Sequence, residues 1–412
     1  MAKKRLIIMM SVCLCSVWLL LGLQAAAQAA PKSIKVSAVV SETGKFAALA
    51  NQAKNAYQIY VDKVNDEGGV YVKKYGKKMP IELRIYDDES DGVKTQAQLE
   101  AANSWGAVAN LGGIGCMSFE LGTPIAEKNK MVWIGPGCGG WMPHQLGNEW
   151  LFSTFFKTPF FSPLGYPMVL SMPEPRPKKV AIFEINEMDC NEAAFYWKAG
   201  AREHGFEIVF HEKYPAGTKD FSALIMGAKG AGAEILLAYP LPPVAPAIVK
   251  QMKELDFSPK LVYWQRAPMT TSFAKALGPL ADYVVFSADW SNQLRLPGVD
   301  YLNAKYMERH GKPAEVITGP GYAAAQVLVD AIERAGNLDR EAIRDAVKAT
   351  DMETVQGRIK FSPQGWAEDH LILMIQWMGG EQNIVYYNEP GEKYKDMIPK
   401  KAFKWQPKWS ER

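Results

Sequence analysis

The stretch IKVSAVVSETGKFAALANQAKNAYQIYVDKVNDEGGV, residues 34–70, decides the fold. Its first seven residues form a short apolar run rich in valine, the pattern of a strand buried on both faces. From Phe46 to Asn65, apolar Leu49, Ala53, Ala56, Tyr57, Tyr60, Val61 and Val64 recur at helical spacing, and Gly68-Gly69 stops the helix. Strand, helix and glycine stop make one α/β unit.

Outward from this unit the alternation repeats. Strands are expected at 81–86, 108–111 and 131–134, with helices at 94–105 and 120–128. Such βα repeats imply a parallel sheet covered on both faces. Between 157 and 177 six prolines surround a short helical segment, which reads as a crossing between domains. A second series follows, with strands at 179–183, 207–210, 234–239 and 260–264 and helices at 192–204, 221–229 and 246–255. A strand at 283–286, three helices within 301–349 and two late strands at 359–361 and 370–378 complete it. The tail from Pro390, with Trp405 and Trp409, has no periodicity and is expected to pack loosely on the surface.

The chain has 412 residues, 48% hydrophobic and 22% charged, an ordinary globular composition. Lys3, Lys4 and Arg5 precede an apolar run from Leu6 to Leu23, and small residues 25–30 follow it. This is the layout of a secretory signal peptide, expected to end at residue 29, with an uncleaved anchor as the alternative. Export to the periplasm is the consequence. Without those three cations the balance is 44 basic residues against 44 acidic, so nucleic acid is not an expected partner. Of the five cysteines, Cys116, Cys138 and Cys190 lie beyond the leader. Cys116 and Cys138 each follow a strand at one sheet edge, so a bridge is conceivable, though buried free thiols are the plainer reading. Five histidines without metal spacing, and no G-x-S-x-G elbow, leave no parts for a metal site, a cofactor site or an enzyme. Asp87, Asp88, Glu89 and Asp91 read as capping residues rather than metal ligands.

Five stretches together resemble the periplasmic leucine/isoleucine/valine-binding type of ABC-transporter solute-binding protein, the type I periplasmic fold. They are 34–70, ELRIYDDESDG at 82–92, PIAEKNKMVWIGPG at 124–137, YPAGTKDFSALI at 214–225 and GPGYAAAQVLVDAI at 319–332. The resemblance implies two Rossmann-like lobes joined by a three-crossing hinge, with a small-molecule ligand held between them. Lobe 1 would comprise 31–157 and about 289–358, lobe 2 158–288 and about 359–388, and the tail 389–412. The ligand would pass to the membrane permease of an ABC importer, or its capture would be reported by a signalling receptor. A monomer is expected, because delivery needs a free cleft.

Open α/β sheets bind ligands outside the carboxyl ends of their strands, so the loops there supply the candidates. The resemblance points to Phe46 as a cleft wall, Cys116 or Ser118 as carboxylate contacts, and Gly137 and Gly139 as main-chain contacts. It places Asp189 where relatives have a stacking aromatic, and Tyr239 could supply that ring instead. Arg266 stands where amino-acid binders have an acid for the ligand's ammonium. A guanidinium offers a fork for a carboxylate instead, unless it pairs internally with Asp189 or Glu187. Trp141, Trp264 and Trp290 fall on expected cleft loops and could stack on a planar ligand. The expected ligand is an aromatic or hydrophobic carboxylate without a free ammonium, the alternative being a branched-chain or other amino acid.

Overall fold

The computed structural model describes residues 30–368 and 370–412, and the expected signal peptide lies outside them. Residues 34–412 form one compact unit. Its first sheet contains β1 (Ile34–Val40), β2 (Ile81–Asp87), β3 (Ala109–Gly112), β4 (Val132–Gly135) and β5 (Leu151–Ser153), in spatial order β2-β1-β3-β4-β5 and parallel throughout. Helices α1 (Ala47–Asp66), α2 (Gly92–Trp105) and α3 (Cys116–Lys128) connect them. The sheet's central strands are buried along their whole length, as a doubly covered parallel sheet requires.

The first crossing, residues 154–157, leads into a short helix α4 (Thr158–Phe161) and the second sheet. That sheet holds β6 (Lys179–Ile185), β7 (Glu207–Tyr214), β8 (Ile235–Ala238), β9 (Leu261–Trp264) and β10 (Val284–Ala288), with α5 (Met188–His204) between the first two. Two antiparallel strands close one side of it: β11 (Leu373–Met378) pairs with β10, and β12 (Glu381–Tyr387) pairs with β11. After β10 the chain returns to the first sheet, where α6 (Val299–His310) and α7 (Thr318–Ala335) pack against α1. A hairpin, Asp351–Thr354 with Gly357–Lys360, precedes the last crossing back to β11.

Several elements differ from the sequence pattern. β5 and β12 had no clear signal, the first because three residues carry too little pattern to separate from a loop. The tail is pinned rather than loose: Gln376 bonds both to and from the Lys404 backbone, and the Trp409 indole donates to the Phe257 carbonyl at 2.9 Å. Among the described residues no helix is long and apolar enough to cross a membrane.

Candidate functional site

The carboxyl ends of both parallel sheets face a common cavity, a void of about 360 Å³ counting its mouth. Phe46 caps the start of α1 and lines the cavity with Leu49 one turn on. The β3–α3 turn supplies Ile114, Gly115 and Cys116, and the loop after β4 supplies Gly137 and Gly139. From the second sheet come Asp189, Tyr239, Arg266 and Met269, while Phe155 of the first crossing and Ile317 ahead of α7 close the remaining sides. Most of this wall is apolar.

Helix α3 begins at the cavity itself. The 120–128 expectation placed its start four residues late; Cys116 is its first residue and Gly115 its N-cap. Gly115 has φ +124°, and a Cβ there would stand 2.9 Å from the Phe46 ring, so both backbone and packing demand glycine. No side chain caps this terminus. Its first-turn amides and the positive end of the helix dipole lie at the cavity wall, an arrangement that would favour an anion over a cation.

Cys116 and Cys138 are joined as a disulfide, which corrects the free-thiol reading. The cause is register. β3 and β4 are adjacent parallel strands with Ala109 opposite Val132, so the residues just beyond their ends emerge side by side, at a Cα separation of 4.8 Å. Cys190 remains a thiol, and burial, with Asp189 beside it, pushes its pKa well up. None of the three can act as a ready nucleophile.

Arg266 follows β9 with a left-handed backbone, φ +66°. Its guanidinium donates to Glu187 at 2.9 Å and Asp189 at 2.7 Å, and lies 4.5 Å from the centre of the Tyr239 ring. Lys45, from the first sheet's β1–α1 loop, reaches Glu187 at 3.0 Å, so the ion chain spans the cleft. Burial alone would raise the Glu187 carboxyl, but Arg266 and Lys45 together hold it below its usual value. The internal pairing offered as the alternative for Arg266 is what the structure contains. Glu187, Asp189 and Cys190 have metal-like spacing, yet the guanidinium occupies the place a cation would take.

Two further residue pairs tie the sheets across the cleft. The Trp141 amide donates to Glu192 at 2.9 Å, and Thr271 donates both its amide and its hydroxyl to Glu315.

Of the residues the sequence singled out, Phe46, Cys116, Gly137, Gly139, Asp189, Tyr239 and Arg266 come together at the cavity. Four do not. Ser118 points to Asp88, which Ser41 and Thr95 also bond. Trp264 is wholly buried at the end of β9. Trp290 is wholly buried with its indole on the Val355 carbonyl. Trp141 packs beside Phe160 and Trp366, away from the cavity. Asp189, expected in a loop, sits in the first turn of α5. The acidic run caps backbone, Asp91 at the start of α2 and Asp87 on the Glu42 and Thr43 amides. The sequence reading did not single out Leu49, Ile114, Phe155, Met269 and Ile317, ordinary apolar residues that nothing in the sequence separates from core positions.

A model of the periplasmic binding protein family matches residues 33–381. Leu/Ile/Val-binding protein homolog 7 of Brucella abortus is 22% identical over 393 residues, covering 89% of this chain and 94% of that protein. Among solved structures, a leucine-binding protein from Thermotoga maritima matches with TM-score 0.78 and 20% identity, covering 87% of this chain and 99% of the other. A solute-binding protein of an ABC transporter from Rhodopseudomonas palustris BisB5, in complex with 3,4-dihydroxybenzoic acid, matches with TM-score 0.74 and 21% identity, covering 87% and 96%. At these identities the structural likeness is one of fold.

Proposed function

This chain belongs to the periplasmic binding protein family, solute-binding receptors of ABC transporters rather than enzymes, and we propose that its ligand is a small carboxylate with an aromatic or hydrophobic body and no free ammonium. One observation carries this reading: an uncapped helix N-terminus faces a mostly apolar cavity whose charged lining residues, Asp189 and Arg266, are already paired with each other. An ammonium placed there would find no free carboxylate and would sit beside a guanidinium. A carboxylate would meet the amides of α3 and the backbone at Gly137 and Gly139, with Phe46 and Tyr239 against its apolar body.

Family members bind small molecules and deliver them to a membrane permease, and export by a cleaved leader and action as a monomer fit that role. We assign lobe 1 to 31–157 with about 289–358 and lobe 2 to 158–288 with about 359–388, following the sheet each segment serves. The name of the Brucella relative favours the second reading, a branched-chain amino acid, on the same site.

A thermal-shift screen with benzoate, 3,4-dihydroxybenzoate, 4-methylpentanoate, leucine and benzamide decides between them. At 100 times Kd a true ligand adds about 2.7 kcal/mol, which for a chain of this size is a shift of about 3 °C. Shifts with the acids and none with leucine are expected. A shift with leucine alone overturns the ligand class and leaves the receptor.

A further inference from the structure

The first crossing carries a lysine that the ligand contacts described above do not include. Lys157 is wholly buried, and its Nζ donates to the Cys138 carbonyl at 2.6 Å and to Ser153 Oγ at 2.8 Å. Cys138 lies between Gly137 and Gly139 on the cavity wall and is bonded to Cys116, the first residue of α3. The next residue, Thr158, donates its amide to the Gly139 carbonyl at 2.8 Å. Two consecutive residues of the hinge therefore grip the ligand loop by its backbone. A methionine would fill the same volume without desolvating an amine, so the lysine is a costly way merely to pack a crossing.

We propose that Lys157 is a positioning residue for ligand capture: it fixes the Cys138 carbonyl, and through the disulfide the N-terminus of α3, and places a positive charge behind the site of an anionic ligand. The charge part of this rests on the carboxylate reading above. The groups facing Lys157 come from four elements: Glu192 of α5, Asp289 just past β10, His144 in the turn after β4, and His370 of the last crossing. Burial brings the ammonium down to about 7, with Glu192 and Asp289 opposing the fall. Burial raises both of those carboxyls and keeps both imidazoles neutral. The amine and the carboxyls titrate as a coupled set, so the test must remove the amine alone.

The full chain, Lys157→Met, Lys157→Arg and Asp289→Asn are compared by amide exchange of peptides covering 136–141, and by benzoate titration from pH 6 to 8.5. Exchange at 136–141 is expected to rise about tenfold in Lys157→Met while β6 and β8 stay protected. Lys157→Arg should restore protection. Benzoate affinity should fall about tenfold across the pH range in wild type and Asp289→Asn, a ligand-linked shift of about one pKa unit, and stay flat in both Lys157 variants. Unchanged exchange in Lys157→Met, or a pH profile that survives in it, overturns the proposal. If exchange responds as expected and no carboxylate binds wild type, the positioning role holds and the carboxylate reading falls. Wild type also reports without any variant: with 13C-labelled lysine, the Cε resonance of Lys157 should show a protonated amine at pH 6, and a resonance that stays at the neutral-amine position throughout overturns the charge.

Discussion

Arg266 adopts a backbone that costs a residue with a Cβ roughly 1–3 kcal/mol, and it holds it because its side chain is fixed on four sides. Glu187 and Asp189 bond the guanidinium, and the rings of Tyr239 and Phe46 lie along it. Removing the cation would leave two carboxylates facing each other with little water. Arg266→Met is therefore expected to destabilise the protein by about 3 kcal/mol, read from the urea midpoint, with much of that recovered in Arg266→Met/Asp189→Asn. A loss that the second substitution does not reduce would mean that the carboxylates were not what the arginine was holding. At this scale the sequence was half legible. Residues in the glycine-containing loops after β3 and β4 lie at the cavity, because those loops end strands whose carboxyl ends face it. The tryptophans do not, since an indole after a strand suits the core as well as the cleft, and Trp264 and Trp290 went to the core. Whether Arg266 served a ligand or its own chain depended on distances that no spacing encodes.

Helix starts show why function hides from pattern. α2 was easy to place because Asp91 caps it, accepting from the Val93 and Lys94 amides. α3 and α5 begin about four residues before the pattern suggests, and neither has a side-chain cap. Without a capping side chain a helix start lacks one of the signals by which it is recognised. The disulfide at the head of α3 closes a loop of 22 residues. Cys116→Ser/Cys138→Ser is expected to cost about 3 kcal/mol by the chain-entropy relation, measured by urea unfolding under non-reducing conditions. A cost near zero would show that the paired strands alone hold these loops together in the unfolded ensemble's place. The tail was misread for a related reason: irregular backbone is satisfied by bonds to distant elements, as Gln406 is on Lys260, and no local period announces them.

The parallel strands of the two sheets followed from repeated βα units, and that much of the molecule was readable from hydrophobic period, but the spatial order of the strands was not. The three crossings were not, beyond the proline-rich first one, because their residues belong to neither period. What they bury is chemically unusual. His370 is almost wholly buried, and burial, with Lys157 nearby, lowers its pKa to about 3; His144 is also lowered, by burial first. In the unfolded chain both would titrate near 6.5. Between those values the unfolded state binds the more protons, so stability is full above about pH 6.5 and falls as pH drops below it. His370 alone should remove roughly 1.1 kcal/mol per pH unit on average between pH 6.5 and 5, nearing about 1.4 per unit at the lower end. Urea unfolding across that window should show the slope, and His370→Gln should lessen it. An equal slope in the variant would place the proton uptake elsewhere.

Trp141 is bonded by its amide to Glu192 across the cleft, and its ring lies about 6 Å from those of Phe160 in α4 and Trp366 in the last crossing. A parting of the sheets that breaks the Trp141–Glu192 bond would change the surroundings of this indole. Such a change would be read in the ultraviolet emission as the difference between the protein and a Trp141→Phe variant, because the chain holds twelve tryptophans.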